Sequence, residues 1–242
     1  MRLLRSESIK LLSVRTTWLM LGIGLLVEAL FAGLYVGLVS LDDVGPVREV
    51  QTSVGLLMVM LLVLGVLSIT TEFRHGTAST TFLASPKRYP VLVAKLGAML
   101  AIGLLTGLAF VAVNGGLALP LFSSRGESLP PAGEIVRVYA GVVASFALLC
   151  AFGLGVGAIV RNQVGAIIAA IAFFFVLSPL PELLPGDIGD YFPAQAIGSL
   201  HGLPDATEEG LGQVAGGVVL AAWSLALWLI GTVLIGHRDL NE

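Results

Sequence analysis

Residues 50–69, VQTSVGLLMVMLLVLGVLSI, run directly into residues 70–90, TTEFRHGTASTTFLASPKRYP, and from there into an apolar stretch that begins at Val91. The first segment carries no charge over a length that lets a helix cross the roughly 30 Å hydrocarbon core of a bilayer. The second gathers Glu72, Arg74, Lys87 and Arg88 among small hydroxyls, with Phe73 and Leu83 as apolar anchors. A membrane-crossing helix, an elaborate polar connector and a returning helix therefore follow one another.

The same pattern extends to both sides. Of 242 residues, 56% are apolar and 12% charged, with a mean hydropathy of +0.95. A soluble domain holds about 45–50% apolar and about 25% charged residues, so an ordinary soluble enzyme is excluded. Six apolar runs place spans at about 18–39, 50–69, 91–122, 135–160, 164–180 and 214–236. The expected fold class is all-α: a polytopic membrane protein with six transmembrane helices forming a single transmembrane domain over residues 1–242. Span 3 is longer than a bilayer requires, so it should tilt, break near Asn114-Gly115-Gly116 or project. Pro179 and Pro181 stop span 5. Before span 1, residues 1–16 set Arg2, Arg5, Lys10 and Arg15 largely opposite a leucine-rich arc, with Glu7 on the apolar side, and predict an imperfect interfacial helix. The run from Trp18 to Val39 is too long for a signal-peptide core and lacks a cleavage signal, so no processing is expected.

Basic residues set the orientation. With the N-terminus in the cytoplasm, ten Lys and Arg lie inside and three outside; the reverse would invert a strong positive-inside bias. Both termini are thus expected in the cytoplasm. Residues 181–213 face outward, with six carboxylates (Glu182, Asp187, Asp190, Asp205, Glu208 and Glu209) and no Lys or Arg. A solvated acidic loop or a site that attracts cations both fit that composition. Cys150, alone and within an apolar run, cannot form an intrachain disulfide and is expected in the core. No internal repeat argues for inverted transporter halves.

The connector admits two readings. It is a solvated loop whose charges set topology, or it is a docking element for a cytoplasmic partner, with Glu72, Gly76 and Thr80 along one side of a short surface helix. The run T-E-F-R-H-G-T, then L-A-S-P-K-R and L-V-A-K-L, resembles the cytoplasmic connection in the permease subunits of type-2 ABC transporters. There an acidic residue, a basic residue and Gly-Thr follow span 2, Leu-x-x-Pro with basic residues comes next, and a Lys opens span 3. By position these are Glu72, Arg74, Gly76 and Thr77, then Leu83, Pro86, Lys87 and Arg88, and finally Lys95. The motif covers about a tenth of the chain.

The resemblance implies that the connector is a coupling helix seated in a groove of an ATP-binding cassette subunit. Glu72, Phe73, Arg74, His75, Gly76, Thr77, Pro86, Lys87 and Arg88 would make that contact, and the N-terminal helix would lie at the same interface. Three consecutive hydroxyls, Ser79 to Thr81, are poor helix formers and blur its ends. The resemblance further implies re-entrant extracellular helices between spans 5 and 6, a bacterial inner-membrane location, and export of an amphipathic drug, peptide antibiotic or lipid, since import systems usually add a capture protein. ATP and Mg would belong to the partner; no cofactor or metal is expected in this chain, and no nucleic-acid partner. No G-x-x-x-x-G-K-[ST] occurs, and Gly153-x-Gly155-x-Gly157 sits among apolar residues where it cannot cradle phosphate.

Six spans seldom enclose a route for an organic substrate, so a second permease copy, identical or related, is expected to share it within the lipid bilayer. Five G-x-x-x-G pairs, at Gly33, Gly103, Gly153, Gly198 and Gly212 with their partners, scarcely exceed chance and assign no interface. Glu28 is the acidic residue well inside a span, and a carboxylate there is costly enough to serve function or to be paired structurally. With spans 2 and 5 implied as the lining, Glu28, Met58, Met60 and Phe174 are the pathway candidates, against a packing role for any of them. An intramembrane enzyme is disfavoured because His75, His201 and His237 all lie outside the spans; Ser199 and His201 are near in sequence but lack a catalytic frame. An ATP-independent secondary transporter or channel is the alternative function.

Overall fold

Small residues decide how the helices meet. The computed structural model describes residues 15–38, 46–76, 88–126, 128–180, 188–202 and 211–237, which form helices and no strand. In chain order these are α1 (Arg15–Leu38), α2 (Pro46–Thr52), α3 (Gly55–Arg74), α4 (Arg88–Ser124), α5 (Ala132–Val160), α6 (Gln163–Ala172), a π segment (Phe173–Leu177), a 3-10 turn (Gly189–Tyr191), α7 (Pro193–Leu200) and α8 (Gln213–His237). Most of the expected interfacial helix at residues 1–16 lies outside the described residues, as do residues 77–87 of the connector.

Helix α5 runs through the centre. Backbone meets backbone along it: a β-carbon on Gly153 would strike the Leu62 carbonyl, one on Gly65 the Cys150 carbonyl, and one on Gly103 would lie 2.5 Å from the Phe146 oxygen. Gly155 packs against Leu227 and Gly231 against Ala158 in the same way. Two of the sequence G-x-x-x-G pairs, Gly103/Gly107 and Gly153/Gly157, are therefore spent within the chain, while Gly33 and Gly37 face open space. Cys150 is a buried free thiol at this centre.

These contacts also fix direction. Leu62 pairs with Gly153 and Val66 with Gly157, so α3 and α5 run parallel. Gly103 meets Ala147 and Gly107 meets Val143, so α4 runs against α5. At one end of α8 Gln213 donates to the Arg137 carbonyl (2.7 Å), and at the other Arg161 donates to the Leu234 carbonyl (3.2 Å), so α5 and α8 are parallel. Arg125 at the end of α4 donates to the carbonyls of Val36 and Gly37, closing the end of α1. Thus α1 and α4 finish at one face of the bundle, and α3, α5 and α8 at the other.

Five helices are long and apolar enough to cross a membrane: Thr17–Leu38, Glu49–Arg74, Tyr89–Ser124, Ala132–Val160 and Gln213–Gly236. The expected fifth span differs. Its ten α-helical residues and five-residue π segment rise roughly 22 Å, short of the hydrocarbon thickness. Because α5 and α8 are parallel, the chain between them must still return, and α7 makes the remaining climb. Ser178 Oγ accepts from the Ala194 N–H at 2.8 Å, Phe192 stacks near Trp223, and α7 then runs antiparallel to α8 until Leu200 accepts from Gln213.

Two further boundaries differ from the sequence reading. Span 3 does not break at Asn114: α4 is continuous over 37 residues with Pro120 inside it, about 55 Å, a length that tilt or projection must absorb. The Asn114 amide, which would compete with its own backbone, is used elsewhere, donating to the Val50 carbonyl (3.1 Å) and accepting from Tyr139 Oη (2.9 Å). Span 2 is interrupted at Ser53-Val54, between α2 and α3, and its second part continues past Ile69 to Arg74.

Candidate functional site

The connector leaves the bundle from the last turn of α3, and its first residues occupy the face where α3, α5 and α8 end. Glu72 points back into the protein. Its Oε1 lies 3.1 Å from Lys95 Nζ, and the ammonium also donates to the Ser68 carbonyl at 2.9 Å. Lys95 is 2% exposed and Glu72 15%, so a buried ammonium meets a partly buried carboxylate between α3 and α4. Leaving such a buried charge without its partner costs about 1–3 kcal/mol. Phe73 carries the Arg161 guanidinium over its ring, 5.3 Å from the centroid. Arg74 is exposed and donates to Gln163 Oε1 at 3.1 Å. His75 is exposed, its Nδ1 2.9 Å from the Thr71 carbonyl.

Three successive side chains thus reach three different helices: Glu72 reaches α4, Phe73 the end of α5, and Arg74 the start of α6. Gly76 closes the turn at φ +67°, a region that favours glycine. Helix α3 ends at Arg74, and Thr80, the third residue of the expected helical face, lies outside the described residues. Arg88 opens α4. Thr77, Pro86 and Lys87 lie outside the described residues.

Sequence reasoning missed three members of this junction as site residues: Lys95, Arg161 and Gln163. Lys95 was legible only as a motif position, although a cation a few residues inside span 3 needs a partner and the hairpin makes Glu72 the nearest acid. Arg161 falls in the three-residue gap between the apolar runs 135–160 and 164–180. It caps α5 in the left-handed region at φ 60°, while Asn162 caps α6 by accepting from the Gly165 N–H at 2.8 Å.

The pathway candidates divide. Glu28 is buried and accepts from the backbone N–H groups of Leu56 and Leu57. These are the second and third residues of α3, the donors that a side-chain cap normally satisfies; here the cap comes from α1. Met60 lies against Gly24 in the same α1–α3 contact, and Met58 packs in the adjoining core. Phe174 is buried edge-on against Phe152 at 5.8 Å. Met58 also packs against the cluster that holds Phe152 and Phe174, so it touches both cores.

At the opposite end, His201 follows α7 and packs on α5, its Nε2 2.9 Å from Ser145 Oγ; that hydroxyl also donates to the Val142 carbonyl. Burial pushes the imidazole down to about 4, so it is neutral near pH 7. His201 pairs with Ser145, not with Ser199. Both side chains of the pair are sealed from solvent. Among the described residues no group of His, Cys, Asp and Glu gathers to hold a metal ion.

The described residues make a polytopic helical membrane protein in which the side chains at the start of the connector are tied into the packed bundle. Residues 14–235 match the family described as ABC-2 family transporter protein. The chain belongs to that family: it is a membrane-embedded permease subunit of an ABC transporter, a class that works with an ATP-binding partner and is not itself catalytic. No curated protein matches the chain.

Proposed function

We propose that the chain is the permease of an exporter, worked from the cytosol by a separate ATP-binding cassette subunit that grips the connector after α3. The observation that carries this reading is the wiring of Glu72, Phe73 and Arg74 into α4, α5 and α6. A solvated loop that only sets topology needs none of these ties, whereas a lever needs all of them. Closure of the partner around ATP and Mg displaces the connector, and the close-packed helices follow as rigid bodies.

Six crossings fit the helix directions, with α6, the π segment and α7 together supplying the fifth return. Arg74, Lys95 and Arg161 mark the face where α3 and α5 end and where α4 begins, and the positive-inside bias puts that face, with both chain termini, in the cytoplasm of a bacterial inner membrane. Two copies share the route, which carries a hydrophobic or amphipathic molecule such as a drug, peptide antibiotic or lipid.

The test is to co-express the chain with the ATP-binding cassette encoded beside it and purify through a tag on the chain. The wild type should retain the cassette, and a variant with residues 77–87 scrambled should lose at least nine-tenths of it while remaining in the membrane. Retention by the scrambled variant, or transport by the purified chain without a cassette, overturns the proposal.

A further inference from the structure

The glycine-mediated approaches nearest the cytosolic face are Gly157 with Val66 and Ile69, and Gly231 with Ala158. Beyond that level side chains hold the helix ends together, and Arg161 stands among them. Its guanidinium lies over the Phe73 ring of α3 and donates to the Leu234 carbonyl of α8. One planar, permanently charged group thereby touches both helices that flank the end of α5.

The backbone at this point makes the side chain informative. Among the described residues Arg161 is the only non-glycine with a positive φ, at 60°. The turn from α5 to α6 is closed by groups that any residue in that conformation provides, the Arg161 N–H to the Gly157 carbonyl (3.0 Å) and the Asn162 N–H to the Val160 carbonyl (2.7 Å). Glycine satisfies such a cap without a Cβ penalty, so local geometry gives no reason for arginine. The reason lies in what the guanidinium reaches.

We infer that Arg161 is a positioning residue for coupling: it locks the connector end of α3 to the cytosolic end of α8, so that displacement of the connector moves the last helix. Lysine would offer a point charge, whereas the guanidinium plane stacks on the ring and donates sideways at the same time. The inference rests on the docking reading above and adds to it the route by which motion leaves the connector. The neighbouring ties run elsewhere: Glu72 leads to α4 and Arg74 to α6. Tyr89 meets Trp228 with ring centroids 6.0 Å apart, joining α8 to α4 and bypassing the connector's first residues.

The experiment uses the complete complex in nanodiscs and follows amide hydrogen exchange with and without ATP, Mg and orthovanadate, reading residues 70–76 and 231–235 separately. In the wild type, nucleotide trapping should change exchange at least fivefold in both segments. In Arg161→Gly, which keeps the backbone conformation, the connector response should persist and the α8 response should fall below twofold. An α8 response of wild-type size in Arg161→Gly overturns the inference, as does a wild-type complex in which the connector responds and α8 does not. A wild-type connector that ignores nucleotide removes the docking reading, and the inference with it. If Arg161→Gly fails to assemble, Phe73→Leu breaks the same contact from the other side with little change in volume and carries the same expectations.

Discussion

Helices α1 and α5 are both apolar enough to cross a membrane, yet the protein treats them oppositely. In α5, 78% of the most apolar window is buried inside the chain; in α1 the share is 28%. Hydropathy does not separate them, because lipid and protein core are similar solvents for leucine. The difference lies in side-chain size. α5 presents Gly153, Gly155 and Gly157 to its neighbours and lets the backbones of α3 and α8 approach, whereas α1 directs Trp18, Leu19, Leu26, Leu30 and Leu34 outward. Without a hydrophobic drive between helices in lipid, close van der Waals contact through small residues selects the centre.

The sharpest way to break this comparison is to add bulk to one helix and then to the other. Gly153→Leu should leave no folded protein in a detergent extract judged by size exclusion, since the Leu62 carbonyl cannot move without parting α3 from α5. Gly33→Leu on α1, where nothing lies within 4 Å, should shift stability by less than about 0.5 kcal/mol. Equal effects would mean that α5 is not the centre.

The next largest effect concerns charge. Lys95→Met should lower stability by about 1–3 kcal/mol because it removes the ammonium held 3.1 Å from the partly buried Glu72 carboxylate. The double variant Lys95→Met/Glu72→Leu should regain most of that loss in thermal unfolding. A double variant as weak as the single one would show that the pair is not held away from water.

An effect of no greater size should appear with pH. Above about 6.5 the His201 imidazole is neutral in the folded and unfolded chain alike. As pH falls from 6.5 towards 4, the unfolded chain takes up a proton that the buried ring refuses, so stability declines through that window and levels off below it. The loss reaches about 3 kcal/mol at most, and His201→Phe should remove the slope. The smallest change sharpens the peripheral side of the comparison: Glu28→Ala should cost about 1 kcal/mol, the value of a helix cap. Unaltered melting would show that α1 does not hold the start of α3.

Much of the architecture was legible in the chain because bilayer thickness imposes a length that sequence can display. Five of the predicted spans are long apolar helices, and Glu72 and Arg74 lie in the last turn of α3. The fifth apolar run does form one helix, over Gln163–Leu177, but it is shorter than a span and its last five residues are π; that the chain comes back beside Ser178 and Trp223 depends on tertiary contacts. The site was legible as a segment and not as a circuit. Periodicity pointed Glu72 and Gly76 at a partner, whereas Glu72 turns inward to Lys95, a partner 23 residues away that only helix pairing brings within reach.

By itself, then, the sequence determined that this chain lives in a membrane and where a long polar connector separates two of its apolar runs, since both follow from the local free energy of moving residues between water and lipid. Tertiary structure alone decided that α5 is the centre, that α3, α5 and α8 are parallel, and that Arg161 stands between Phe73 and Leu234. Those facts depend on which backbones can approach closely enough to touch, and such a fit belongs to pairs of helices, not to any one segment.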